Sequence, residues 1–513
     1  MHRDANSRHN LPLIGQIFCS RMNLRSLTLR IWVLRWLAVC LGLLPFVFAE
    51  LAIRLIEPSP QDAVDSDPWV NLHQLQPLFV KNSEGDRWEI SSSRTNFFCR
   101  DSFSANKQPN TRRIFVLGGS TVQGRPYATE TAFSTWLRIK LQVANPNTHF
   151  EVINCGGVSY ASYRVAKIME EVIGHQPDAI ILYTGHNEFL EDREYSHVRE
   201  MGPIRSGLVN AARRSRLASW IKERFLDRQA DAVHSPAMPQ EVLTRLDQID
   251  GLDKYQRDPK WRQAVESHFS KTLERMINQT NRANVPLILC IPASDLLQTP
   301  PFKTAMATDL SESESKQFRL FQKRSEDPER SENERLIAAR ECLKIDPDHA
   351  GSHYLCGRIL FEQGKEKDAA HHLTQARDHD VCPLRATSHL IASVQKAIDH
   401  PQVLLVDVPK EFDRQNSQGL NEPDGVPDPQ WFVDHVHPSI KGHQVIANRC
   451  YEAIRSLPWA NGLSKPGVYE SKITEHLSEL DESYFARGKQ RLQGLRRWTQ
   501  GRATTPIPLT SPQ

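Results

Sequence analysis

The 513-residue sequence is informative first through what it has little of. There is no excess of either charge: 64 Lys and Arg stand against 61 Asp and Glu, and a formal net charge of +3 gives no nucleic-acid-binding surface. There is no C-x-x-C pair. The nine cysteines (Cys19, Cys40, Cys99, Cys155, Cys290, Cys342, Cys356, Cys382 and Cys450) are scattered, which excludes a zinc-finger framework and leaves small apolar core residues with at most one or two disulfides. Apolar residues at 39% and charged residues at 24% exclude both a disordered chain and a polytopic membrane protein. At this length one ordinary core is too small, so two or three packing units plus tails are expected.

The long apolar run is residues 31–53, IWVLRWLAVCLGLLPFVFAELAI. It is long enough to span a hydrocarbon core. Six arginines (Arg3, Arg8, Arg21, Arg25, Arg30, Arg35) precede Trp36 against one acid, Asp4, and the positive-inside rule puts that end in the cytoplasm. The expectation is a basic cytoplasmic tail over 1–30, a single transmembrane anchor over 31–53 and an extracytoplasmic remainder. A cleaved signal peptide is the alternative, with Val47-Phe48-Ala49 as the cleavage site. The long polar stretch before the run favours the anchor.

After a linker or N-terminal extension over 54–110, short β-branched runs alternate with helical patterns: RIFVL (113–117), FEVIN (150–154), DAIILYT (178–184), VPLILCIP (285–292) and VLLVDV (403–408). Five such runs separated by helices predict βα units, a mostly parallel five-stranded sheet and a three-layer α/β/α sandwich. The gap of about 110 residues before the fifth run must hold an insertion, because ordinary crossovers are far shorter. Residues 350–380 place Gly357, Gly364, Ala369, Leu373 and Ala376 at the small and apolar positions of a tetratricopeptide-like hairpin, with Pro347 in the register of a 34-residue repeat. A plain helical hairpin is the alternative. The resulting division is a sheet domain over 111–310 and 381–460, a helical insertion over 311–380, and a polar tail over 461–513 expected to fray. Residues 204–281, charged and helix-like, are expected to form a lid or flank.

The chemistry collects where the strands end. Gly118-Gly119-Ser120-Thr121 follows the first strand, at the edge where open α/β sheets bind ligands. The turn lacks a Walker lysine and dinucleotide-fingerprint spacing. Asn154-Cys155-Gly156-Gly157 ends the second strand, Gly185-His186-Asn187-Glu188 follows the third, and Asp434-His435-Val436-His437 follows the fifth. Each has a structural explanation alone: Ser120 as a helix cap, Gly156 and Gly185 as turns, Asn187 as a loop residue, His437 as a surface histidine beside His435, His443 and His186. The histidines show no zincin-like spacing, so no metal is assigned.

Four signals after four strands, in this order, resemble the SGNH/GDSL hydrolase superfamily, whose blocks are a serine in a glycine turn, a glycine, an asparagine in G-x-N, and D-x-x-H. The resemblance covers about 113–457 without the insertion. It implies a flavodoxin-like hydrolase fold, Ser120 as nucleophile, His437 as general base, Asp434 as its carboxylate, and oxyanion donors from the Ser120 amide, the Gly156 amide and the Asn187 side chain. This chain has G-G-S-T for the family's G-D-S-x and G-H-N-E for G-x-N-D. Those departures leave subfamily and substrate open.

Serine needs an adjacent base to become nucleophilic, and histidine titrates in the useful range. Attack on an acyl carbon develops charge that fixed donors must meet. The expected activity is cleavage of a small-molecule ester or acylated glycan through a Ser120 acyl-enzyme, with no metal or organic cofactor. Two alternatives remain: a polysaccharide O-acyltransferase that passes the acyl group to a sugar, and a non-enzymatic assembly protein whose helical insertion binds a protein partner.

Overall fold

The structure, a computed structural model, describes residues 76–193, 241–248, 251–414, 425–460 and 469–500, with scattered positions in 34–52. The chain divides into two compact units, one of residues 1–66 and 196–235 and the other of 67–195 and 236–513. In the first, the described positions are helical and carry exposed apolar side chains such as Leu37, Leu41 and Phe48. Among the described residues no helix is long and apolar enough to cross a membrane. Part of the expected 31–53 span, all of the 1–30 tail, 54–75 of the expected linker or extension, 204–240 and 249–250 of the expected flank, and 461–468 and 501–513 of the carboxyl-terminal tail lie outside the described residues.

The second unit is built on strands β4 (Thr111–Gly118), β5 (His149–Gly156), β6 (Ala179–Tyr183), β7 (Leu287–Cys290) and β8 (Val403–Val406). They form one parallel sheet in the order β5-β4-β6-β7-β8. All five apolar runs of the sequence are these strands. They are mostly apolar because both faces are covered and successive side chains point to opposite faces, while Arg113 and Glu151 pair with each other at 2.7 Å. Phe115, Leu117, Ile180, Leu182 and Leu289 enter the core under helices Ser162–Ile173, Pro259–Arg282 and Ser388–Lys396. Ile114, Val116, Ile181 and Ile288 enter the other, under helices Phe133–Ala144 and Ile440–Arg455. The register sets Gly118 beside Gly156 and beside Tyr183, so the strand ends that bear the predicted site share one edge.

Two segments differ from expectation. Within 54–110, expected as a linker or N-terminal extension, lies an antiparallel sheet, β1 (Phe79–Lys81), β2 (Arg87–Ile90) and β3 (Ser102–Ser104), whose Phe79, Ile90 and Phe103 join the main core as those of a mere linker would not. The Glu171 carboxylate fixes it by accepting the Leu78 and Phe79 amides, each at 2.7 Å. The supposed frayed tail contains helices Tyr469–Ser478 and Glu482–Gln500. Tyr469 and Ile473 enter the core, and the Tyr484 hydroxyl lies 2.9 Å from Thr131 Oγ1.

Between β7 and β8, before helix Ser388–Lys396, the insertion holds the helices Glu312–Glu326, Glu332–Ile345, Ala350–Glu362 and Glu366–Asp378. Ser311 and Ser331 each open a helix with a reciprocal capping box. At Gly357 a Cβ would lie 2.7 Å from Leu373 Cγ, so the last two helices approach closely only because that residue is glycine.

Candidate active site

Two glycines set the position of Ser120. A Cβ at Gly118 would lie 2.1 Å from the Tyr183 carbonyl oxygen, and one at Gly119 would lie 2.6 Å from Asn187 Nδ2. Without side chains there, β4 runs tightly beside β6 and turns into the short helix Ser120–Gln123. Ser120 stands at its start and is 9% exposed.

His437 reaches the serine from the far end of the chain. Its Nε2 lies 2.7 Å from Ser120 Oγ, and its Nδ1 lies 2.7 Å and 3.0 Å from the Asp434 carboxylate oxygens. The three-residue spacing has a local cause. Asp434 Oδ1 accepts the Val436 amide at 3.0 Å and the His437 amide at 2.8 Å, closing an Asx-type turn that folds the imidazole back onto its own carboxylate. The Val433 amide donates to the His437 carbonyl at 2.9 Å, and Ser439 Oγ caps the following helix at the Gly442 amide, which fixes both ends of the loop.

Burial pushes the Asp434 carboxyl upward, but the neighbouring His437 and His435 imidazoles and the His437 hydrogen bonds outweigh it and hold it well below the usual carboxylate range. Asp434 is therefore an anion, which assigns the Nδ1 proton to His437 and leaves Nε2 to accept the serine hydroxyl proton. The competing histidines stand differently. Burial lowers His186 and His443 to about 3, and their ring nitrogens have no hydrogen-bond partner among the described residues. Burial, against the pull of Asp434, lowers His435 to about 4, with its Nδ1 3.6 Å from Asp434 Oδ1.

Asn187, on the loop after β6, donates from Nδ2 to the Tyr160 carbonyl at 3.0 Å, leaving its second Nδ2 proton for another acceptor. The Ser120 amide lies in a first helical turn, where no intrahelical acceptor exists. Gly156 corrects the sequence expectation: its amide donates to Asn154 Oδ1 at 3.0 Å, so it is not free to meet an oxyanion. A Cβ there would lie 2.2 Å from the Gln123 amide nitrogen, so the glycine serves close packing against the helix that opens with Ser120. In the next turn Ser159 holds φ 61°, and its amide has no hydrogen-bond partner among the described residues. Sequence reasoning passed over it because a serine gives no sign of a left-handed turn.

Among the described residues no group of three or more His, Cys, Asp or Glu is arranged to hold a metal ion. No family model matches the chain, and no curated protein matches it. Solved structures do. The acetylxylan esterase Axe2 from Geobacillus stearothermophilus is 14% identical over 68% of this chain and 96% of its own, with a TM-score of 0.27. The lipase/acylhydrolase from Enterococcus faecalis is 12% identical over 67% and 95%, with a TM-score of 0.30. A GDSL-like lipase from Bacteroides thetaiotaomicron is 11% identical over 69% and 92%, with a TM-score of 0.28.

Proposed function

We propose that this protein is a serine hydrolase of the SGNH/GDSL type that cleaves an ester through a Ser120 acyl-enzyme. The observation that carries the proposal is the continuous relay from Asp434 through His437 to Ser120, with both links at 2.7 Å, at the ligand-binding edge of a parallel sheet. His437 Nε2 takes the hydroxyl proton as Ser120 Oγ attacks the acyl carbon. Asp434 stabilises the imidazolium so formed, and the Asn187 Nδ2 and Ser120 amide protons meet the developing oxyanion. His437 then protonates the departing alcohol. Water, deprotonated by the same imidazole, attacks the acyl carbon and releases the acid and free Ser120. The substrates that fit this chemistry are small esters and acylated glycans.

The low exposure of Ser120 favours a second reading, transfer of the acyl group to a sugar hydroxyl, because a site that excludes water spares the acyl-enzyme. The helical insertion would serve as the surface for a protein partner. The arginines before the 31–53 run support an N-terminal membrane anchor with the catalytic unit outside the cytoplasm. Full-length protein given an aryl acetate with and without an acetylatable oligosaccharide decides the chemistry. Free acetate alone means hydrolysis, an acetylated sugar means transfer, and no turnover together with no labelling of Ser120 by a phosphonate leaves a non-enzymatic scaffold. A phosphatase reporter that is active only when exported, fused after Gln513, tests the topology; silence of that reporter would overturn it.

A further inference from the structure

Glu188 follows Asn187 directly and is completely buried. A buried carboxylate is costly unless hydrogen bonds and an opposite charge meet it. Glu188 Oε1 accepts the Ser162 amide at 2.7 Å, Oε2 accepts the Ser162 hydroxyl at 2.9 Å, and the Arg193 guanidinium lies 4.0 Å away. Ser162 opens the twelve-residue helix Ser162–Ile173, whose N-cap Ala161 has no side-chain oxygen to offer its first amides. Glu188 supplies that cap from another strand's loop, with the charge sign that a helix amino terminus favours.

The cap closes a ring around the oxyanion donor. Two residues before Ser162, the Tyr160 carbonyl accepts one Nδ2 proton of Asn187 at 3.0 Å. Adjacent residues of the β6 loop, Asn187 and Glu188, are thus tied to residues 160 and 162 of the facing turn, and this double tie fixes both the loop and the amide plane. Arg193 backs the ring, donating to the Glu188 carbonyl. Its Nη1 lies 3.0 Å from His268 Nδ1 on helix Pro259–Arg282. A guanidinium has no acceptor, so His268 Nδ1 accepts.

We propose that Glu188 is a positioning residue for Asn187: its carboxylate, bound to Ser162 and backed by Arg193, aims the remaining Nδ2 proton of Asn187 at the reacting oxygen. This rests on the hydrolase reading above. If the ring only braces the fold, its loss lowers stability and leaves the chemical step alone; if it aims Asn187, its loss lowers kcat through Asn187.

The test is a double-mutant cycle in the full chain, with an aryl ester as substrate and thermal unfolding in parallel. Glu188→Ala is expected to lower kcat roughly tenfold or more with KM within about twofold, as for an interaction made only in the transition state. In an Asn187→Ala background the same change is expected to cost less than about twofold. Glu188→Gln, which keeps an acceptor for the Ser162 amide and a donor for its hydroxyl, is expected to recover turnover to within about fivefold of the parent. An unchanged kcat in folded Glu188→Ala, or a penalty that multiplies in full on Asn187→Ala, overturns the proposal. If Glu188→Ala does not fold, Ser162→Ala, which removes the hydroxyl's hydrogen bond to Glu188 and keeps the amide's, takes its place in the cycle with an expected loss of about threefold and the same criteria. Ser120→Ala runs as a control: retained turnover there sinks the hydrolase reading itself, an outcome separate from any result at Glu188.

Discussion

The parallel sheet and the helical insertion bury apolar side chains by opposite rules. In the sheet, neighbours come from distant parts of the chain, as with Leu182, Leu289 and Phe115 in one core. In the insertion, Leu336, Ala339, Leu355, Ile359, Leu360 and Ala369 form a core from consecutive helices. The insertion meets the sheet domain through an apolar cluster, in which Tyr354, Leu373 and Ala376 pack with Leu296 and Val426, and through polar contacts. Arg257 grips Asp346 at 2.8 and 2.9 Å, the Tyr354 hydroxyl donates to the Leu297 carbonyl at 2.9 Å, and Thr304 Oγ1 accepts the Gly351 amide at 3.1 Å. Ser120, Asp434 and His437 therefore belong to the region of long-range contacts, while the locally folded region is attached beside them.

The hardest test of that contrast is the relay itself. Ser120→Ala or His437→Ala should lower aryl-ester turnover by roughly four to six orders of magnitude, with the double variant little worse than either single one, because the two groups act as one unit. Multiplying losses would break the unit. Asn187→Ala should cost roughly 10²–10³ in kcat, read in the same assay, through weaker oxyanion stabilisation.

Acid should weaken the sheet domain through its buried histidines. Folded His186 and His443 are lowered to about 3 and His435 to about 4, below an unfolded value near 6.5. The unfolded chain then binds more protons, so stability falls as pH drops below about 6.5. Asp380 acts in the opposite sense: burial raises it to about 6, and its contribution is lost as pH rises through that value. From pH 7 to 5 the histidines cost roughly 2 kcal/mol each against roughly 1 kcal/mol gained at Asp380, so the urea midpoint should fall. A midpoint that holds or rises would show the three imidazoles solvated.

Two core truncations sharpen the comparison further. Leu182→Ala, in the sheet, should destabilise global unfolding by ~3 kcal/mol. Leu355→Ala, in the insertion, should open that segment in hydrogen exchange while leaving turnover of a small ester within about threefold. A large activity loss from Leu355→Ala would mean that the insertion shapes the site.

How much of this was legible follows from how each feature is encoded. The five central strands were readable because burial on both faces forces continuous apolar runs. Asp434 and His437 were readable because their geometry is a local turn, fixed by spacing alone. Gly156 was misassigned because the fate of its amide depends on Asn154 Oδ1, a contact no spacing reveals. Strands β1 to β3 are three or four residues long, too short to display an alternation, and the carboxyl-terminal helices dock through few apolar residues such as Tyr469 and Ile473. Glu188 registered only as a departure from G-x-N-D, because its partners Ser162 and Arg193 are brought to it by the fold.

Ser120 and His437, the proposed nucleophile and base, are separated by 317 positions, with the whole insertion between them. At ordinary synthesis rates of ~5–20 residues per second, His437 leaves the ribosome roughly 16 to 60 s after Ser120. Throughout that interval β4 and its serine exist without the imidazole that would activate them. On the proposed reading the emerging chain is chemically silent toward esters until its last strand and the turn after it are in place, which ties the onset of reactivity to the completion of folding.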